Sequence, residues 1–182
     1  MRIFGLLDNE ESPMIQQLRL MIGATAAILV SACAAGMPPT AKATQVERAQ
    51  CAKGDVQDDV QLLQSAKVLK AEPLYARILT KTGEEERVNG ATLVIRAPEG
   101  VSADKLAQLL QCHSAAVLLG QIDNSKFAND PTWLPNAWLD IDVKPQAGNF
   151  AVTLSANTVA RNLLVLQRAT AFADTHRSWT AE

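Results

Sequence analysis

The order and period of the apolar residues predict an α+β fold, a mainly antiparallel four-stranded sheet with helices packed on one face. Three observations carry this. Two stretches of strand composition, Leu74–Leu79 and Ala91–Arg96, lie close together in the chain. Further on, Leu139, Ile141 and Val143, and then Phe150, Val152 and Leu154, alternate with polar residues, the pattern of half-buried strands. Each pair of strands is followed by a segment whose apolar residues recur at helical spacing. Strand, strand, helix, repeated, suits hairpins whose polar positions face water while helices cover the other side. The repeat hints at an internal duplication, although the two halves share no motif.

Taken in order, Ala34 to about Gln45 is rich in Ala, Gly, Pro, Thr and Lys and reads as a flexible tether. From Val46 to Leu69 the residues Val56, Val60 and Leu63, with Leu62, Ala66 and Leu69 on an adjoining stripe, predict a helix interrupted near Gly54. Glu72-Pro73 would close it, because proline disfavours helix at the residue before it. In the first hairpin Asn89-Gly90 is the pair suited to positive φ, and Glu84-Glu85-Glu86 reads as a charged tip. Ser102 is a good N-cap for a helix running to about Leu119, with Leu106, Leu109, Leu110, His113 and Val117 on one face. Gln146-Ala147-Gly148-Asn149 turns the second hairpin. Asn157 can cap a last helix through about Ala173, with Val159, Leu163, Leu166 and Thr170 on its apolar stripe and Leu164 beside it.

Before this domain stands a segment of another kind. Leu20–Val30 is apolar, Arg19 precedes it and Ser31-Ala32-Cys33 follows, giving a basic flank, a short apolar run and a small-residue cleavage site. Membrane-spanning helices need about 20 apolar residues, and Met37-Pro38-Pro39 comes too soon for that. Val30-Ser31-Ala32-Cys33 resembles the lipobox of bacterial lipoproteins. That resemblance implies a diacylglycerol thioether on Cys33, cleavage before it and acylation of the new amino terminus. It also implies the outer membrane, facing the periplasm, since Ala34 and Ala35 offer no retention-type Asp. Several acyl chains matter, because one alone holds a protein only marginally. Asp8, Glu10 and Glu11 put negative charge where a signal is basic, so Met14 reads as the start and residues 1–13 as an extension. The expected organisation is a signal peptide over 1–32, a lipidated tether over 33–45 and one α+β domain over 46–182.

Removing the signal leaves about 150 residues, the usual size of one domain. The chain is 48% apolar and carries a formal net charge of -2, which supports a globular domain and provides no basic footprint for nucleic acid. Besides Cys33 there are Cys51 and Cys112. An exported chain could pair them, closing a loop that would stabilise the fold by about 4 kcal/mol in the chain-entropy model. They could equally be two separate buried hydrophobes.

Chemistry-bearing residues are sparse. Cys112 and His113 are helix neighbours whose side chains diverge by about 100 degrees, so they cannot chelate one ion together. A metal site would require Cys51 and His176 from afar, and core packing is the simpler role. Asp140 and Asp142 share one face of a strand about 7 Å apart, a spacing open to a cation or an acid-base pair. Alternation places that face in water. In the long segment 121–136, Phe127, Trp133 and Leu134 could form a contact surface and Asp123 and Asp130 could touch a cation or polar partner; otherwise the loop packs down on its own domain. Leu139–Val143, Val152–Ser155 and the helix Val159–Ala173 are together similar to part of the BON domain, an envelope module associated with phospholipid surfaces, although Ala156 stands where that family has glycine. The sequence thus leads to a membrane-anchored envelope lipoprotein with a non-enzymatic binding or structural role, for which an envelope protein is a candidate partner, with no cofactor and no metal. An envelope hydrolase or metal-dependent enzyme using Asp140 and Asp142 is the first alternative, and a phospholipid-binding module the second.

Overall fold

The computed structural model describes residues 36–51, 65–123 and 129–176. Among these residues it is an α+β fold with an antiparallel four-stranded sheet and three named helices. The elements are α1 (Pro39–Gln50), β1 (Val68–Thr80), β2 (Gly83–Arg96), α2 (Ala103–Leu118), β3 (Asp140–Gln146), β4 (Asn149–Ser155) and α3 (Val159–His176). Cys33, the signal segment, Phe127 and the apolar positions Val56, Val60, Leu62 and Leu63 lie outside the described residues.

The two hairpins join through their second strands, so the sheet order is β1-β2-β4-β3. Ala91 stands opposite Leu154 and Arg96 opposite Asn149, while Asp140 stands opposite Ser155 and Gln146 opposite Asn149. The helices trade places. α2, which follows the first hairpin, packs on β3 of the second, and α3, which follows the second, packs on β2 and β1 of the first. Alternation explains the core: Ala91, Leu93, Ile95, Ile141, Val143, Phe150, Val152 and Leu154 all point to the helices and are buried. They meet Leu106 and Leu110 of α2 and Val165, Ala169 and Phe172 of α3. Each large apolar side chain buried this way contributes about 1.5–3 kcal/mol.

Local signals act as the sequence suggests at several ends. The Ser102 hydroxyl accepts from the Lys105 amide at 3.2 Å and starts α2. Ala147 and Gly148 both take positive φ, 47° and 78°, and turn β3 into β4 in a two-residue loop of the primed type.

Four expectations need correction. Pro39–Gln45, read as tether, is helical. Proline is at home in a first helical turn, the Ala, Lys, Gln and Glu that follow are good helix formers, and Ala43 is fully buried in the packing of α1 on α2. The compact unit that carries the sheet begins at Pro38. Second, the helix expected to reach Leu69 stops short of it: residues 52–64 lie outside the described residues, and Val68–Thr80 is strand because it pairs along β2; Pro73 is tolerated there because β1 is an edge strand. Third, Asn89-Gly90 is not the hairpin turn. The chain reverses at Thr80–Gly83, and Asn89-Gly90 form a bulge opposite Leu74, between the pairs Pro73–Ala91 and Tyr75–Val88. Fourth, α3 begins one residue later than expected, with the Thr158 hydroxyl accepting from the Arg161 amide at 3.3 Å, and its buried stripe is Asn162, Val165, Ala169, Phe172 and Ala173. The small Ala169 and Ala173 bring that face close to the sheet, leaving Val159 and Leu163 about half exposed on the other side.

Candidate functional site

Only residues 91–96 of β2 pair with β4, whereas residues 83–88 pair with β1 alone. Among the described residues the first hairpin therefore continues past the sheet as a two-stranded arm with no further strand on either outer edge. Its apolar side chains are uncovered: Leu79 is 87% exposed, Tyr75 53% and Ile78 37%. An isolated two-stranded ribbon is marginal in water, so what holds the base of this one matters. Gly90, at φ 127°, passes so near β4 that a Cβ would fall 1.9 Å from the Leu154 carbonyl oxygen. Beside it, buried Asn162 of α3 accepts from the Ala156 amide at 2.6 Å and donates to Asn89 Oδ1 at 3.2 Å. One side chain thus ties the end of β4, the bulge in β2 and the first turn of α3. A shallow cleft of about 130 Å³ opens here, lined by Ala76, Ile78, Asn89, Val159 and Asn162 among others.

A second cluster is buried between α2 and the loop that precedes β3. His113 Nε2 donates to Asp130 Oδ2 at 2.6 Å, and Asp130 Oδ1 accepts from the Thr132 amide at 2.8 Å and its hydroxyl at 2.7 Å. All three residues are 5% exposed or less. From α3, Arg168 donates to the Trp133 carbonyl at 2.9 Å and lies 4.8 Å from the centre of that ring. This is a clamp that pins the loop to both helices. It corrects the reading of Trp133 and Leu134 as a contact surface: Leu134 is 1% exposed, Trp133 is half-buried under Arg168, and Asp130 is turned inward to His113 rather than toward a cation. The apolar side chains turn down because the domain offers them core while the solvent face does not.

Asp140 and Asp142 project from β3 on the sheet face away from the helices, 73% and 59% exposed. Lys42 of α1 lies 3.1 Å from Asp140 and also over the Trp138 ring, and Lys144 lies 3.1 Å from Asp142. Each carboxylate therefore has its own lysine. Among the described residues no group of three or more His, Cys, Asp or Glu is placed to hold a metal ion. His176 stacks on Phe172 and its Nδ1 donates to the Phe172 carbonyl at 2.9 Å. Cys51, at the end of α1, and Cys112, in α2, form a disulfide with their Cα atoms 5.6 Å apart. This staples α1 to α2, beside a hydrogen bond from Gln121 to Glu47 at 2.5 Å.

The arm and the clamp are what sequence reading missed. His113 sits on the face expected to be buried, but its partner lies in a loop 17 residues on. The Asp130-Pro131-Thr132 turn was the available signal, since Asp accepts from the backbone two residues later in such turns. Comparison with protein-family models, curated proteins and solved structures finds no match for the chain.

Proposed function

We propose that the protein is a membrane-anchored lipoprotein of the bacterial cell envelope, tethered through lipid on Cys33, whose α+β domain binds another envelope component and does no chemistry of its own. The observation that carries this is the apolar run Leu20–Val30 ending on Val30-Ser31-Ala32-Cys33. The Cys51–Cys112 disulfide supports export, because such bonds persist outside the reducing cytosol. The uncovered apolar residues of the arm and of α3 support a binding role, since large apolar side chains grouped outside a core mark contact surfaces. Lysine pairing of Asp140 and Asp142 on an open face leaves nothing in the geometry that favours a hydrolytic role for them.

The test is the intact mass of the mature protein expressed as the full chain in a bacterial host, beside a Cys33→Ser variant. An amino terminus at Cys33 carrying acyl mass, lost in the variant, is the expected result. An unmodified mass overturns the proposal.

A further inference from the structure

We infer that the arm formed by β1 and β2 reaches back to the membrane that anchors the protein and rests its apolar tip, Ile78 and Leu79, on the lipid surface. The inference rests on the lipid-anchor reading of Cys33 and adds the orientation of the folded domain. Two independent features lead to it.

The first is the shortness of the link. Because α1 starts at Pro39, Ala34–Pro38 are all the sequence between Cys33 and that helix. Extended to the limit, that link spans about 20 Å. The beginning of α1 is thus held within that distance of the acyl chains, and the domain cannot stand off at will. Lys42 places the beginning of α1 in the fold: its amide donates to the Pro38 carbonyl, and its ammonium sits on Asp140 at the start of β3 and over Trp138.

The second feature is direction. Asp140 pairs with Ser155, and the neighbouring Leu154 pairs with Ala91, so the start of β3 is level with Gly90 across the sheet. From that level the arm runs on through residues 83–89, away from Gln146, for about 23 Å. The anchored end and the arm are therefore on the same end of the sheet, about 10 Å apart laterally, since β2 and β3 are two strands apart. An arm that leaves the fold at the end of the sheet where α1 begins, with a reach close to the length of the link, meets the surface to which the link is tied.

Its chemistry suits a lipid interface more than an electrostatic one. Arg77, Lys81 and Arg87 balance Glu84, Glu85 and Glu86, so the arm carries no net charge. What it offers is Leu79 and Ile78 beside the polar turn Thr80-Lys81-Thr82. Apolar contact of this kind is insensitive to salt and to the anionic lipid content, unlike docking by a basic patch.

The experiment uses the full acylated protein in vesicles of phosphatidylethanolamine and phosphatidylglycerol. An environment-sensitive fluorophore is placed at Thr82→Cys, or at Gln146→Cys on the opposite end of β3 as the control. With Cys33 acylated and Cys51 bonded to Cys112, the introduced thiol is the reactive one. The expected result is a blue shift at position 82 and quenching there by a lipid-borne quencher, neither seen at position 146, both unchanged by added salt, and both lost when Leu79→Asp is added. If the mass shows acylation while position 82 is as wet as position 146, the arm contact is overturned and the anchor stands. If the mass shows no acylation, the anchor reading fails and this inference falls with it.

Discussion

β2 passes through two environments, and the contrast between them organises the molecule. From Ala91 to Arg96 it has a strand on each side and helices over one face, and every second residue is buried. From Gly83 to Val88 it has β1 alone, and no residue there is buried. Pairing with β1 resumes beyond the bulge at Asn89-Gly90; burial does not. Strand pairing by itself confers little stability in water, so the four-stranded part holds the fold and the arm is held by it. An element that contributes little to stability yet keeps exposed leucine and isoleucine is placed for contact.

The junction is where the two regions can be broken apart most severely. Gly90→Val puts a Cβ 1.9 Å from the Leu154 carbonyl oxygen in a backbone conformation that L residues rarely adopt, so the arm, β4 or both must shift. We expect a loss at the top of the range for single substitutions, about 4–5 kcal/mol, read from the urea midpoint. Gly83, at φ 134° in the arm with nothing within 4 Å of a Cβ, provides the comparison, since there only the backbone strain is felt.

Within the supported region, Cys51→Ser with Cys112→Ser opens a link spanning 61 residues, and the chain-entropy argument puts the loss at about 4 kcal/mol. Chemical denaturation under non-reducing conditions, against the unaltered domain, measures it. Slightly smaller is the loss expected for His113→Ala, about 3 kcal/mol, because the Asp130 carboxylate stays buried without its ring partner. A double-mutant cycle with Asp130→Ala should return a large coupling energy between the two positions. Independent, additive losses would show that the clamp is not a unit.

How much of this was legible in the sequence follows the same division. β3, β4 and α2 were readable because Ile141, Val143, Phe150, Val152 and Leu154 alternate cleanly and because Ser102 and the His113 face obey helical period. Those elements have one wet and one dry side, and period reports that difference. Where the difference is absent, period misleads. The start of β1 was taken for helix because Ala66 and Leu69 fit a 3.6 spacing as well as a strand. α1 reads as tether because alanines such as Ala43 bury a face without a strongly apolar pattern. On α3 the expected stripe missed by one position, since Ala169 and Ala173 do the packing and the larger Leu163 faces out. Gly90 was recognised as a positive-φ glycine, but the demand on it comes from a strand more than 60 residues away. Of the candidate residues, alternation correctly places the carboxylates of Asp140 and Asp142 in water, whereas Asp130 has a local signal only for its turn to Thr132, and its contact with His113 depends on tertiary approach.

Ala147→Asn tests the second hairpin at smaller scale. Ala147 stands at φ 47°, where asparagine is tolerated better than alanine, so the substitution should stabilise by about 0.5 kcal/mol. A rise in the denaturation midpoint checks this. The gain should be visible because this turn belongs to the supported part of the sheet.

The smallest effect is expected in the arm itself. Truncating a buried leucine such as Leu154 costs about 2–5 kcal/mol, because it removes apolar contact and leaves a cavity. Leu79→Ala removes the same atoms from a side chain 87% exposed, so neither term applies and stability should change by less than about 0.5 kcal/mol. If Leu79→Ala instead destabilises as a core truncation does, the arm is folded back onto the domain in solution and the two regions are one. If stability is unchanged but the lipid-quenching signal at position 82 falls, the leucine is retained for what it touches outside the protein.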